Sequence, residues 1–128
     1  MPSKKEELAV ITTAKELCSY IMKVTQKSPK HFRYTYVTRL QNIALSVIED
    51  MFMANSVFVE KGDFSAYRER VTLQRKALAE LRLLAYFSML AAEDECILFK
   101  QYENIAKLSE NCMNLLGAWI TSDRKRFR

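Results

Sequence analysis

VITTAKELCSYIMKV, residues 10–24, is the stretch on which the reading of the fold turns. Val10, Ala14, Leu17, Ile21 and Val24 recur at 4-3-4-3 spacing, the interval that lines up side chains on one side of an α-helix. A stripe this regular predicts a helix that buries one face against other helices. Just upstream, Ser3 and Glu6 have the S-x-x-E spacing of a capping box, which places the helix start at Ser3.

The rest of the chain repeats the theme. With two Gly and two Pro in 128 residues there is too little turn chemistry for a sandwich or barrel, and enough length for one core. Ser28-Pro29 restarts the chain, and a second helix carries Val37, Leu40, Ala44, Val47, Met51, Ala54 and Phe58 on one stripe, with Leu45, Phe52 and Val59 beside it. Gly62 is expected to end that helix and Asp63 to cap the next. The third helix runs from about Phe64 to Ala92, with Tyr67, Val71, Leu78, Leu81, Ala85 and Ser88 inward. After Glu93-Asp94-Glu95, the fourth is marked by Leu98, Tyr102, Ile105, Cys112, Leu116 and Trp119. Short connections make neighbours antiparallel, so the expected fold is all-α, an up-down-up-down four-helix bundle over residues 1–122 with a basic tail at 123–128.

Composition narrows function. The single histidine, His31, excludes a di-iron bundle site, which needs two Glu-x-x-His motifs. No H-E-x-x-H, phosphate-binding loop, nucleophile elbow or dinucleotide fingerprint occurs. Cys18, Cys96 and Cys112 lie in apolar helical register without a CxxC and read as reduced core thiols. Met22, Met51, Met53, Met89 and Met113 read as core filler. Without a long apolar run or a signal peptide, the expectation is a cytoplasmic, non-enzymatic binding or assembly protein with no metal, no cofactor and no membrane contact.

Charge and exposed apolar residues suggest the partners. The formal net charge is +5, and residues 123–128 supply +3 of it through Arg124, Lys125, Arg126 and Arg128 against Asp123. Such a balance favours an anionic partner. Arg68, Arg75 and Arg82, seven residues apart, are expected to share one arc of the third helix, which reads either as a solvated face with Glu69 and Glu80 nearby or as a phosphate-contacting ridge, with Tyr86 in line to stack on a base. Lys23, Lys27, Lys30, His31 and Arg33 form a second basic cluster at the first interhelix turn. Leu83, Phe87 and Leu90 point away from the expected core stripe and predict self-association.

Three short motifs carry a family resemblance. Pro29-Lys30 with Arg33-Tyr34 opens the second helix, Lys100-Gln101-Tyr102-Glu103 opens the fourth, and Leu115-Leu116-Gly117-Ala118-Trp119-Ile120 closes it. In this order and layout the chain resembles the four-helix-bundle proteins that comprise the accessory variability determinant of diversity-generating retroelements and the 23S rRNA intervening-sequence proteins. The Leu-Leu-Gly-Ala-Trp ending leans toward the retroelement branch. The resemblance implies a prokaryotic or phage-encoded bundle that assembles as a homopentameric barrel with a basic surface. It implies binding to the element's reverse transcriptase and to RNA or DNA, in support of mutagenic reverse transcription. The alternative within the resemblance is an intervening-sequence-type bundle serving as a structural or protein-interaction unit. The fourth helix departs from the pattern in lacking a Ser or Thr cap before Lys100. Gly117, costly inside a helix by about 1 kcal/mol against Ala, is expected to permit close helix approach beside Trp119.

Overall fold

Apolar stripes at helical spacing have nowhere to go but against one another, and they do so around a single core. The computed structural model describes residues 4–128, with side chains from residue 9 onward, so the Ser3–Glu6 capping box lies outside the described residues. Four helices follow in order: α1 (Lys4–Thr25), α2 (Thr38–Ser56), α3 (Phe64–Glu93) and α4 (Phe99–Phe127). No strand occurs among the described residues. Each helix packs on two neighbours in the cycle α1-α2-α3-α4. Bonds between helices give the directions. Ser46 donates to Glu80 at 2.5 Å and Lys76 to Asp50 at 3.1 Å, so α2 and α3 are antiparallel. Asn104 near the start of α4 donates to Tyr20 near the end of α1 at 2.9 Å, and Ser28 donates to the Cys96 carbonyl at 2.8 Å just beyond those ends, which makes α1 antiparallel to α4. The molecule is the up-down-up-down bundle expected from its periodicity.

The α1 stripe is buried as read: Val10, Ala14, Leu17, Ile21 and Val24 all lie in the core. Between α1 and α2 the chain does not enter an α-helix directly after Pro29. A 3-10 turn (Lys30–Phe32) leads into a π-helical turn (Arg33–Val37), whose wider winding ends where Thr38 Oγ1 donates to the Arg33 carbonyl. At its far end α2 stops at Ser56, before the expected Gly62. Val57 is extended (φ −77°, ψ 111°), and side chains there alternate rather than follow a helix. Val59 is therefore buried and Phe58 exposed, reversing the expected assignment of Phe58 to the core. Gly62 holds φ +91°, a conformation glycine adopts without cost, and Asp63 caps α3 by accepting from the Ala66 amide at 3.1 Å.

The register of α3 is also corrected. Its buried line is Arg70, Gln74, Ala77, Leu81, Leu84, Ser88 and Ala91, with Val71 at its margin, whereas Tyr67, Leu78 and Ala85 are only half-buried. The line includes an arginine and a glutamine because α4 supplies their partner. Asp123 is fully buried and accepts from Arg70 Nε (2.7 Å), Arg70 Nη2 (3.1 Å) and Gln74 Nε2 (2.8 Å). The Arg70 guanidinium also lies 5.1 Å from the ring centroid of Trp119 and 5.7 Å from that of Phe127. Residues 123–128 are thus no separate tail. α4 runs unbroken through 122 and 123 to Phe127, which is itself buried.

One departure is made good and two smaller expectations change. At the start of α4 no hydroxyl cap exists, but Gln101 Oε1 accepts from the Leu98 amide at 2.8 Å and satisfies one terminal donor. Gly117 faces open space, where an added Cβ would meet nothing within 4 Å, so it mediates no close helix approach. Met51 is core, but Met53 is 51% exposed and fills nothing. All three cysteines are free and buried, and burial pushes the Cys112 thiol up to about 12.

Candidate nucleic-acid interface

Arg68, Arg75 and Arg82 are all exposed on α3. Two turns of helix separate successive members, about 10 Å at 1.5 Å per residue. Among the described residues no carboxylate comes within ion-pair distance of any of them. Glu80 takes the Ser46 hydroxyl, and Asp50 takes Lys76. Tyr86 continues the row and is 56% exposed.

The other basic groups divide between the two ends of the bundle. At the end where α1 hands over to α2, Lys23, Lys27, Lys30, His31 and Arg33 are exposed. Lys30 and Arg33 border a cleft with Thr25, Gln26, Ser28 and Pro29. At the opposite end, Arg124, Lys125, Arg126 and Arg128 stand exposed on the last turn of α4, close to the start of α3 through the Arg70–Asp123 and Tyr67–Phe127 contacts. Arg126 lies 4.7 Å from the Phe127 ring centroid, which orders one of these cations against the helix. The α4 cations stand on a packed helix, so little chain entropy opposes their use.

The three residues expected to drive self-association are less exposed than their pattern implies. Leu83 is 37% exposed, and Phe87 and Leu90 are half-buried. The reason is α2, which covers this flank of α3: the Arg39 guanidinium sits 5.2 Å from the Phe87 ring centroid. More apolar surface lies on α2, where Leu45 is 48% and Phe52 63% exposed, and on the α2–α3 connection, where Phe58 is 79% exposed. Leu45 and Phe52, seven residues apart, stand outside the core stripe of α2 and face outward.

At the α2–α3 seam, sequence pattern gave no warning of a carboxyl pair. Burial, with the neighbouring Asp50 carboxyl as second cause, pushes the Glu80 carboxyl up to about 7. Its Oε1 is buried without a hydrogen-bond partner, while Oε2 accepts from Ser46. Among the described residues there is no group of three or more His, Cys, Asp or Glu side chains placed to hold a metal ion, and no helix is long and apolar enough to cross a membrane.

No protein-family model matches the chain, and no curated protein matches it. Among solved structures it is similar to a crystal structure of a protein of unknown function from the S23 ribosomal protein family of Bacteroides thetaiotaomicron. The TM-score is 0.77 at 17% identity, over 91% of this chain and 98% of that chain. The likeness is one of fold. It agrees with the four-helix bundle and does not reach the retroelement branch.

Proposed function

We propose that this chain is a non-enzymatic, nucleic-acid-binding bundle that serves a diversity-generating retroelement. In that role it contacts the element's reverse transcriptase and its template RNA or cDNA, and works as a homo-oligomer, a pentamer by the resemblance. The observation that carries the nucleic-acid part is the row Arg68, Arg75 and Arg82: exposed, on a rigid helix, and without a carboxylate partner among the described residues. Cations held so lose little entropy on meeting phosphates, and each contact releases counterions. The retroelement part rests on the motif resemblance. A reverse transcriptase gene beside this one, with paired template and variable repeats, would support it.

Titration with single-stranded RNA and with duplex DNA at several salt concentrations tests the binding. Log affinity should fall by about 0.7–0.9 per phosphate neutralised for each unit of log salt. Changing Arg68, Arg75 and Arg82 together to Gln should flatten that slope by roughly 2–3 per bound subunit. An absence of binding at about 50 mM salt sinks this reading. It would favour the second one, a structural or protein-interaction unit, for which the exposed Leu45, Phe52 and Phe58 speak.

A further inference from the structure

We infer that the groove formed by the π-helical turn and α3 is a stacking site for an unpaired nucleobase. The inference rests on the nucleic-acid reading above and names the part of the nucleic acid that this site takes. Tyr34, Thr35, Tyr36, Arg39, Phe87 and Leu90 line a groove of about 340 Å³. That volume lies at the lower bound for small-molecule sites and suits one flat heterocycle, not an extended chain. Three of the six walls are aromatic rings, and a fourth is a guanidinium held over one of them, with Arg39 at 5.2 Å from the Phe87 centroid. Rings and guanidinium planes are the surfaces on which single-stranded bases stack, whatever their sequence.

Three further observations select a base over an apolar peptide side chain. Tyr34 is 85% exposed, so the fold itself makes almost no use of its ring. It is held at the groove by the π-helical turn Arg33–Val37, an irregularity of a kind that recurs at functional sites. The surroundings are cationic: from Leu17 to Ile48 the chain has five Lys or Arg residues (Lys23, Lys27, Lys30, Arg33, Arg39) and no Asp or Glu. The acidic groups that act on the groove's wall from outside this segment are Asp94 and, more weakly, Glu93 at the end of α3, both beside Tyr36. Of these, Asp94 is occupied by the Tyr36 hydroxyl, which donates to Oδ2 at 2.5 Å. The groove therefore pairs π-faces with one lining cation, Arg39, and Lys30 and Arg33 border a second cleft on the same turn, the arrangement for a base whose phosphates run past those two groups.

The test compares two fluorescein-labelled strands of equal length and charge, oligothymidylate and an abasic sugar-phosphate polymer, by anisotropy. The wild-type chain should prefer the base-bearing strand by about 5- to 100-fold, the equivalent of one stacked base. Tyr34→Ala should erase that preference while leaving affinity for the abasic strand, helicity and oligomer mass unchanged. Tyr34→Phe, which keeps the ring, should restore it. A base preference that survives Tyr34→Ala overturns the site, and so does equal binding of the two strands by the wild type. In both cases the arginine-row reading stands. If neither strand binds at low salt, both proposals fall. A change of oligomer mass in Tyr34→Ala overturns the inference in favour of a contact between copies of this chain.

Discussion

At the residue scale, one buried ion pair fixes the C-terminal third of the molecule. Asp123 has no solvent exposure and takes three donors from two residues of α3. Removing the carboxylate takes the counter-charge away from a buried guanidinium, and breaking a buried pair in this way typically costs about 3–5 kcal/mol. Asp123→Ala should lose stability in that range in a urea titration, and a loss below about 1 kcal/mol would show that Arg70 finds water instead. Gly117 predicts the opposite sign. It sits inside α4 with open space where a Cβ would go, so Gly117→Ala should stabilise by about 1 kcal/mol through helix propensity alone. A destabilised variant would mean that some neighbour needs the space. These two residues also show what was legible in the sequence. Asp123 falls on the same stripe as Leu116 and Trp119, but a carboxylate there looked like the start of a solvated tail. Its partners Arg70 and Gln74 carry no sequence signal of their own, since polar side chains enter a core only in mutually satisfied groups. A search for polar residues of opposite charge on two apolar stripes would have found them.

At the scale of elements, the seam between α2 and α3 holds a group that links folding to pH near neutrality. Burial first, and then Asp50, raise the Glu80 carboxyl to about 7 from its ordinary 4.5. The folded chain therefore holds a proton there that the unfolded chain has released between these values. By linkage, the stabilisation is fully present below pH 4.5 and is lost as pH rises through about 7. Glu80→Gln keeps the shape and removes the titration. Its stability should be flatter than the wild type's between those limits, with an advantage at pH 8 on the order of 1–3 kcal/mol. Parallel pH profiles for the two proteins would refute this account. Helix existence and order were readable because period and punctuation are local. The ends were not: the extended Val57 moves Phe58 out and Val59 in, and the π-helical turn displaces the start of α2 to Thr38, both set by packing between elements. The row of arginines survived the register correction, since rotating the α3 stripe left Arg68, Arg75 and Arg82 exposed. The aromatic groove was not legible, because Phe87 and Leu90 meet Tyr34 and Tyr36 only after α2 and α3 fold together.

At the scale of the whole molecule, the surface is divided between charge and apolar area. Basic groups stand at both ends and along α3, while α2 presents Leu45 and Phe52 outward on one face. A monomer gains nothing from two large exposed side chains seven residues apart, whereas a second copy could bury them. The resemblance implies a pentameric barrel, and a ring of subunits would repeat every basic row around its axis. Light scattering after size exclusion should therefore give several times the 14.9 kDa of one chain. The variant Leu45→Glu with Phe52→Glu should return the mass to one chain without loss of helicity, because neither side chain belongs to the core. Leu83→Glu, on the flank first expected to associate, should have the smaller effect, since α2 already covers part of it. The opposite ranking would place the interface on α3. A monomeric wild type at micromolar concentration would remove assembly altogether. In that case the arginine row acts once per molecule, and the salt dependence of binding is as shallow as one chain's contacts allow.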